Sequence, residues 1–170
     1  MRVELLEGER VHSIVGAFFA VFNYYGYGLS ESVYAGALAC ELTDRGHVVT
    51  RELAVPVTYK GRRVAWQRLD LVVDSRVVVE NKAKETLPQS AKAQLVSYLR
   101  ATPFTAGVLL HYGPTPRFYR YVDWPKRVTG SPAGPSRREA ATGRVDMIPA
   151  EDRSEPPGGL TSTMRHESGR

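Results

Sequence analysis

Two carboxylates and an ammonium group stand where apolar side chains are the rule: Asp70 in Arg68-Leu69-Asp70-Leu71-Val72-Val73, and Glu80 and Lys82 in Val77-Val78-Val79-Glu80-Asn81-Lys82. The runs are separated by the turn-forming residues Asp74 and Ser75, which predicts an antiparallel hairpin. A hairpin centred on Ser75 sets Asp70 opposite Glu80, with Cβ atoms roughly 4.5–5.5 Å apart. Side chains alternate faces along a strand, so Lys82 projects from the same face as Glu80. Like charges directly opposed destabilise a sheet, whereas a divalent cation between them makes the arrangement favourable. The spacing thus points to a metal site. The competing reading is the solvated face of an edge hairpin, on which alternating charge is ordinary.

Helices and strands must bring other groups to this hairpin. Val11, Ile14, Val15, Phe18, Phe19 and Phe22 recur at helical spacing and predict a first amphipathic helix ending near Gly26-Tyr27-Gly28. Ser30 is placed to N-cap a second helix that carries Val33, Ala37, Leu38 and Leu42 inward and stops at Gly46. Cys40 falls in the same pattern and is expected as a core filler. His47 to Tyr59 reads as extended, and Lys60-Gly61 turns the chain into the strand that bears Asp70. A third helix is expected over Pro88–Ala101, a buried strand over Thr105–Tyr112 and a last strand over Arg117–Val122. The sum is an α/β core with a central mixed β-sheet flanked by helices.

With 170 residues, of which 42% are hydrophobic, the chain can build one substantial core. Residues 1–125 are expected to form it. Residues 126–170, with Ser131-Pro132-Ala133-Gly134-Pro135-Ser136 and Pro156-Pro157-Gly158-Gly159, have too little to bury and are expected to be disordered. A net charge of +5 and a pI near 9.5 favour acidic partners such as nucleic acid. Cys40 is the single cysteine, which excludes an internal disulfide and a thiolate zinc cluster and fits a reducing cytoplasm. Ile14–Phe22 is too short to cross a bilayer, and Glu4, Glu7 and Glu9 argue against a secretory signal. His12, His47, His111 and His166 show no ligand spacing.

Along the chain stand, in order, the G-x-x-E-x-x-Y string Gly28-Leu29-Ser30-Glu31-Ser32-Val33-Tyr34, then Asp70, then Glu80-x-Lys82, then Gln94 and Tyr98 four apart on one helix face. From the first helix to Val122 this order resembles the GxxExxY protein family, a branch of the PD-(D/E)XK nuclease superfamily. The resemblance implies a restriction-endonuclease-like core that hydrolyses phosphodiester bonds with Mg²⁺, or Mn²⁺, in nucleic acid, DNA first. It makes Asp70 the D of PD, Glu80 and Lys82 the E and K of ExK, and Glu31 the acidic residue of the first core helix. Asp70, Glu80, Glu31 and the backbone carbonyl of Asn81 would hold the ion, while Lys82 would orient water and offset developing charge. Gln94 and Tyr98 resemble the Q-x-x-x-Y motif of RecB-like exonucleases, which helps hold the metal site and the DNA end. Arg62, Arg63, Arg68, Lys84 and Lys92 are candidates for phosphate contacts or ordinary surface charge. Leu69 stands where the superfamily name has proline, and Asn81 where the middle of ExK is usually apolar. An inactive interaction module that keeps the fold is the second reading.

Overall fold

A computed structural model describes residues 3–122 and the two-residue segment 145–146. In chain order its elements are α1 (Val3–Tyr25), α2 (Glu31–Asp44), β1 (Val49–Tyr59), β2 (Arg62–Val73), β3 (Val77–Lys82), α3 (Gln89–Ala101), β4 (Ala106–His111), β5 (Arg117–Val122) and β6 (Val145–Asp146). The strands form one sheet in the order β1-β2-β3-β4-β5-β6. Among the described strands only β3 and β4 run parallel, joined by α3; the other neighbours are antiparallel. This is the mixed α/β architecture expected, consistent with a restriction-endonuclease-like fold. The boundary at 125 and most of the 126–170 segment lie outside the described residues. Within that segment, where disorder was expected, Val145 and Asp146 pair with Tyr121 and Arg120.

The centre of the sheet is buried on both faces, which explains the near-continuous apolar runs of β3 and β4. One core layer packs α1 and α2 on the sheet through Ile14, Phe18, Tyr34, Leu38 and Leu42 against Leu71, Val79, Val108 and Tyr112. The other packs α3 through Ala91, Leu95 and Leu99 against Leu69, Val72, Val78 and Leu109. Two expectations for α2 are corrected. Val33 and Cys40 are exposed, because the buried stripe is the narrow row Tyr34, Leu38, Leu42 at four-residue spacing, and Tyr34 rather than Val33 turns inward. Ser30 does occupy the N-cap position, but its hydroxyl bonds Ser32 instead of the helix end.

A polar clamp fixes the β2–β3 turn. Asp74 and Ser75 both adopt positive φ, the requirement of a type I′ turn, and Arg76 N–H donates to the Val73 carbonyl. The Asp74 carboxylate accepts from Arg10 Nε (3.1 Å) on α1 and from Val48 N–H (2.9 Å), and pairs with His47 Nδ1 (2.9 Å). His47 Nε2 lies 2.8 Å from Ser13 Oγ, so one carboxylate ties α1, the α2–β1 link and the hairpin together. His47 thus acquires a structural role that its spacing did not reveal.

Candidate active site

The β2–β3 ladder pairs Leu71 with Val79, Val72 with Val78 and Val73 with Val77, the register expected for a hairpin centred on Ser75. It then stops. Asp70 and Glu80, next in that register, flank the point where the strands part, so they are not a regular cross-strand pair. The β1–β2 ladder also skips Asp70: its opposite residue, Glu52, has φ +52°, and pairing resumes at Leu53 and Leu69. Leu71 faces the α1/α2 layer, whereas Leu69 belongs to the α3 layer. The strand therefore changes face across Asp70, an irregularity of the kind that re-aims side chains next to functional sites.

Asp70 Oδ2 takes the place of the missing ladder carbonyl by accepting Asn81 N–H at 3.0 Å. Lys82 O, by contrast, accepts the N–H of Tyr112, the residue after β4, at 2.7 Å. Successive residues of a strand direct their backbone polar groups to opposite edges, so the Asn81 carbonyl faces the same opening as its N–H. The Asn81 side chain is fully buried on the other face, and its Oδ1 and Nδ2 have no hydrogen-bond partner among the described residues.

Glu80 is only 2% exposed, and its carboxylate Oε1 accepts from Lys82 Nζ at 2.7 Å. β3 lies between β2 and β4, so these residues are not the solvated face of an edge hairpin. Burial pushes the Glu80 carboxyl above its ordinary range; the Lys82 hydrogen bond opposes this, and the charges of Asp70 and Glu31 reinforce it. For Lys82, burial favours loss of the proton, but Glu80, Glu31 and Asp70 outweigh it and raise the ammonium above its ordinary value. Lys82 is therefore a held cation at neutral pH and not a proton acceptor.

Glu31 reaches the end of β3 from the first turn of α2, where its Oε1 accepts Ala83 N–H at 3.3 Å. Gly28 enters this helix at φ +124°, a conformation that favours glycine. Tyr34, buried one turn after Glu31, donates its hydroxyl hydrogen to Gly26 O at 2.5 Å, accepts Leu29 N–H at 3.3 Å and stacks on Tyr112 at 4.1 Å. The G-x-x-E-x-x-Y string is thus a loop-fixing device that presents Glu31. From α3, Gln94 Nε2 donates to the Tyr98 hydroxyl. Burial raises the Tyr98 phenol's pKa; Gln94 and Lys82 oppose this, and the charges of Glu80 and Asp70 add to it, so the hydroxyl senses the acidic opening.

The structure brings together Glu31, Asp70, Glu80, Asn81, Lys82 and the Gln94–Tyr98 pair. Arg68 and Lys84 remain on the surface, and the contribution of Lys84 is its carbonyl, 2.7 Å from His111 Nε2. Lys92 Nζ lies over the Tyr119 ring at 4.0 Å. Among the described residues no three His, Cys, Asp or Glu side chains cluster closely enough to hold a metal by themselves. The groups at this opening, the Asp70 and Glu80 carboxylates and the Asn81 carbonyl, offer only oxygen, the donor type that a hard divalent cation takes.

The sequence profile of the PD-(D/E)XK nuclease superfamily matches residues 8–121, and the chain belongs to that superfamily. No curated protein and no solved structure matches the chain. Membership suggests a nuclease, and superfamily members generally use divalent metal ions. No helix among the described residues is long and apolar enough to cross a membrane.

Proposed function

We propose that this protein is an active Mg²⁺-dependent nuclease acting on DNA, of the GxxExxY branch with a RecB-like Gln94–Tyr98 pair, working in a reducing cytoplasm. The observation that carries this reading is the opening between β2 and β3, where Asp70 accepts Asn81 N–H and the buried Glu80 carboxylate pairs with the half-buried Lys82 ammonium. A fold kept only as an interaction module gains nothing from burying a carboxylate beside two others, since their repulsion is destabilising without a cation.

Asp70, Glu80 and the Asn81 carbonyl would hold the ion, with Glu31 reaching it through water. A divalent cation bound there supplies charge neutralisation at the phosphate and a more acidic water. Lys82 orients the attacking water and offsets the charge that develops on the phosphate, its ammonium positioned by the hydrogen bond to Glu80 Oε1. Tyr98, held by Gln94, offers its hydroxyl to the strand end or to a phosphate oxygen. The test is incubation of linear and circular DNA, and of RNA, with Mg²⁺, Mn²⁺ or chelator, using wild type and Asp70→Asn. DNA cleavage that requires the ion and is lost in the variant supports the reading. Cleavage that persists in chelator or in Asp70→Asn overturns it.

A further inference from the structure

Among the described residues β2 has no partner on the β3 side past Asp70 and β1 is the sheet edge, so residues 54–68 form a two-stranded ribbon that continues beyond the sheet. One side of the ribbon rests on the α3 layer through Leu53, Val55 and Leu69. Tyr59, Val64 and Trp66 are exposed, at 64%, 61% and 59%. Between Leu53 and Leu69 the sequence holds Lys60, Arg62, Arg63 and Arg68 and no acidic residue. The ladder shifts register between Val57 and Thr58, which leaves Val64 as an extra residue between Arg63 and Ala65. Without that bulge Arg63 and Trp66, three apart, would face opposite ways. With it, the Arg63 guanidinium lies 4.9 Å over the Trp66 ring, a cation–π contact that pre-orders the guanidinium.

We infer that this β1–β2 ribbon is a groove-reading arm for B-form duplex DNA, carrying the Arg63–Trp66 unit into the major groove beside the cleavage site. The inference rests on the nuclease reading for its substrate class. Charge complementarity selects a polyanion. Shape selects the duplex: a B-DNA major groove, about 12 Å wide, admits a two-stranded ribbon, whereas the deep, narrow A-form groove of RNA does not. Trp66 is four residues from Asp70 and Gly61 of the turn nine, so at ~3.3 Å per residue the arm reaches at most roughly 13–30 Å from the carboxylates. At ~3.4 Å per base pair that is roughly four to nine pairs of duplex to one side of the scissile phosphate.

The experiment is fluorescence anisotropy with labelled 20-base-pair DNA, RNA of the same sequence and single-stranded DNA. The parent protein is Lys82→Gln with Mg²⁺, compared with the same protein also carrying Arg63→Ala and Trp66→Ala. The expected result is preference of the parent for duplex DNA and a loss of about tenfold or more on duplex DNA in the ribbon variant, with an unchanged melting temperature because both side chains are exposed. Loss of the Arg63 charge should also shallow the salt dependence of duplex binding. Duplex affinity within twofold of the parent overturns the inference, as does a parent that binds RNA duplex or single strands equally well, or that binds no DNA. Wild-type cleavage assayed in parallel separates the two proposals: cleavage with ribbon-independent binding removes the arm alone, and ribbon-dependent duplex binding without cleavage supports the arm while removing the nuclease.

Discussion

Asp70→Asn should change stability in opposite directions with and without metal. In the metal-free protein Asp70 is one of the charges that push Glu80 upward. Asparagine removes that charge but keeps an oxygen for Asn81 N–H, so metal-free Asp70→Asn should melt no lower than wild type. Asp70→Ala, by contrast, leaves the amide of a fully buried residue without its acceptor and should cost about 1–3 kcal/mol. With Mg²⁺ at ten times its dissociation constant, wild type gains RT ln 11, about 1.4 kcal/mol. For a folded unit of roughly 120 residues this raises Tm by about 5 °C. The gain should vanish in Asp70→Asn, so the order of the two melting temperatures inverts across a Mg²⁺ titration followed by thermal melting. A wild-type Tm flat to tens of millimolar Mg²⁺ and Mn²⁺, or an equal rise in Asp70→Asn, would refute the reasoning.

Tyr34→Phe removes the hydroxyl that bonds Gly26 O and Leu29 N–H, and should lower stability by about 1–2 kcal/mol in urea titration while slowing cleavage through Glu31; a midpoint unmoved by the change would remove the loop-fixing role. Gly107→Ala puts a Cβ 2.9 Å from Leu95 Cδ1, itself fully buried, and should cost about 1–3 kcal/mol by the same assay. Burial works against ionisation of Asp74, but its bonds from His47, Val48 N–H and Arg10 outweigh this and lower its pKa. The unfolded chain therefore binds the proton more readily, and the contribution of Asp74 is complete above its unfolded value of 3.8 and lost as pH falls through the lower folded value. Urea midpoints should fall less steeply below pH 4 in Asp74→Asn than in wild type; parallel profiles would contradict this.

The hairpin that carries the chemistry was legible because Asp74-Ser75 and the flanking valines constrain register locally, and Leu71 to Val79 pair as expected. Invisible in the same residues was the end of the ladder at Asp70, since it depends on the positive φ of Glu52 in another strand and on a change of packing layer between Leu69 and Leu71. Glu31 and Tyr34 were readable as a spaced pair. That Tyr34 rather than Val33 is buried goes with its stacking on Tyr112, just after β4, which helical spacing does not encode. The His47–Asp74–Arg10 clamp joins residues up to 64 positions apart and left no local pattern. Arg68 and Lys84 lie on the surface, where a phosphate contact and ordinary surface charge look alike.

Lys82 provides the most direct test of the central claim. Replacement by Met would strip the buried Glu80 carboxylate of its partner and confuse a folding loss with a catalytic one. Lys82→Gln removes the charge and leaves a shorter, neutral N–H donor on the Glu80 side of the strand. Single-turnover cleavage of linear duplex DNA in Mg²⁺, measured for wild type and Lys82→Gln with melting temperatures alongside, should show ion-dependent cleavage by wild type. It should be about 10²–10³-fold slower in the variant, at similar stability. Equal rates, or no cleavage of any DNA or RNA by wild type with either ion, would contradict the account.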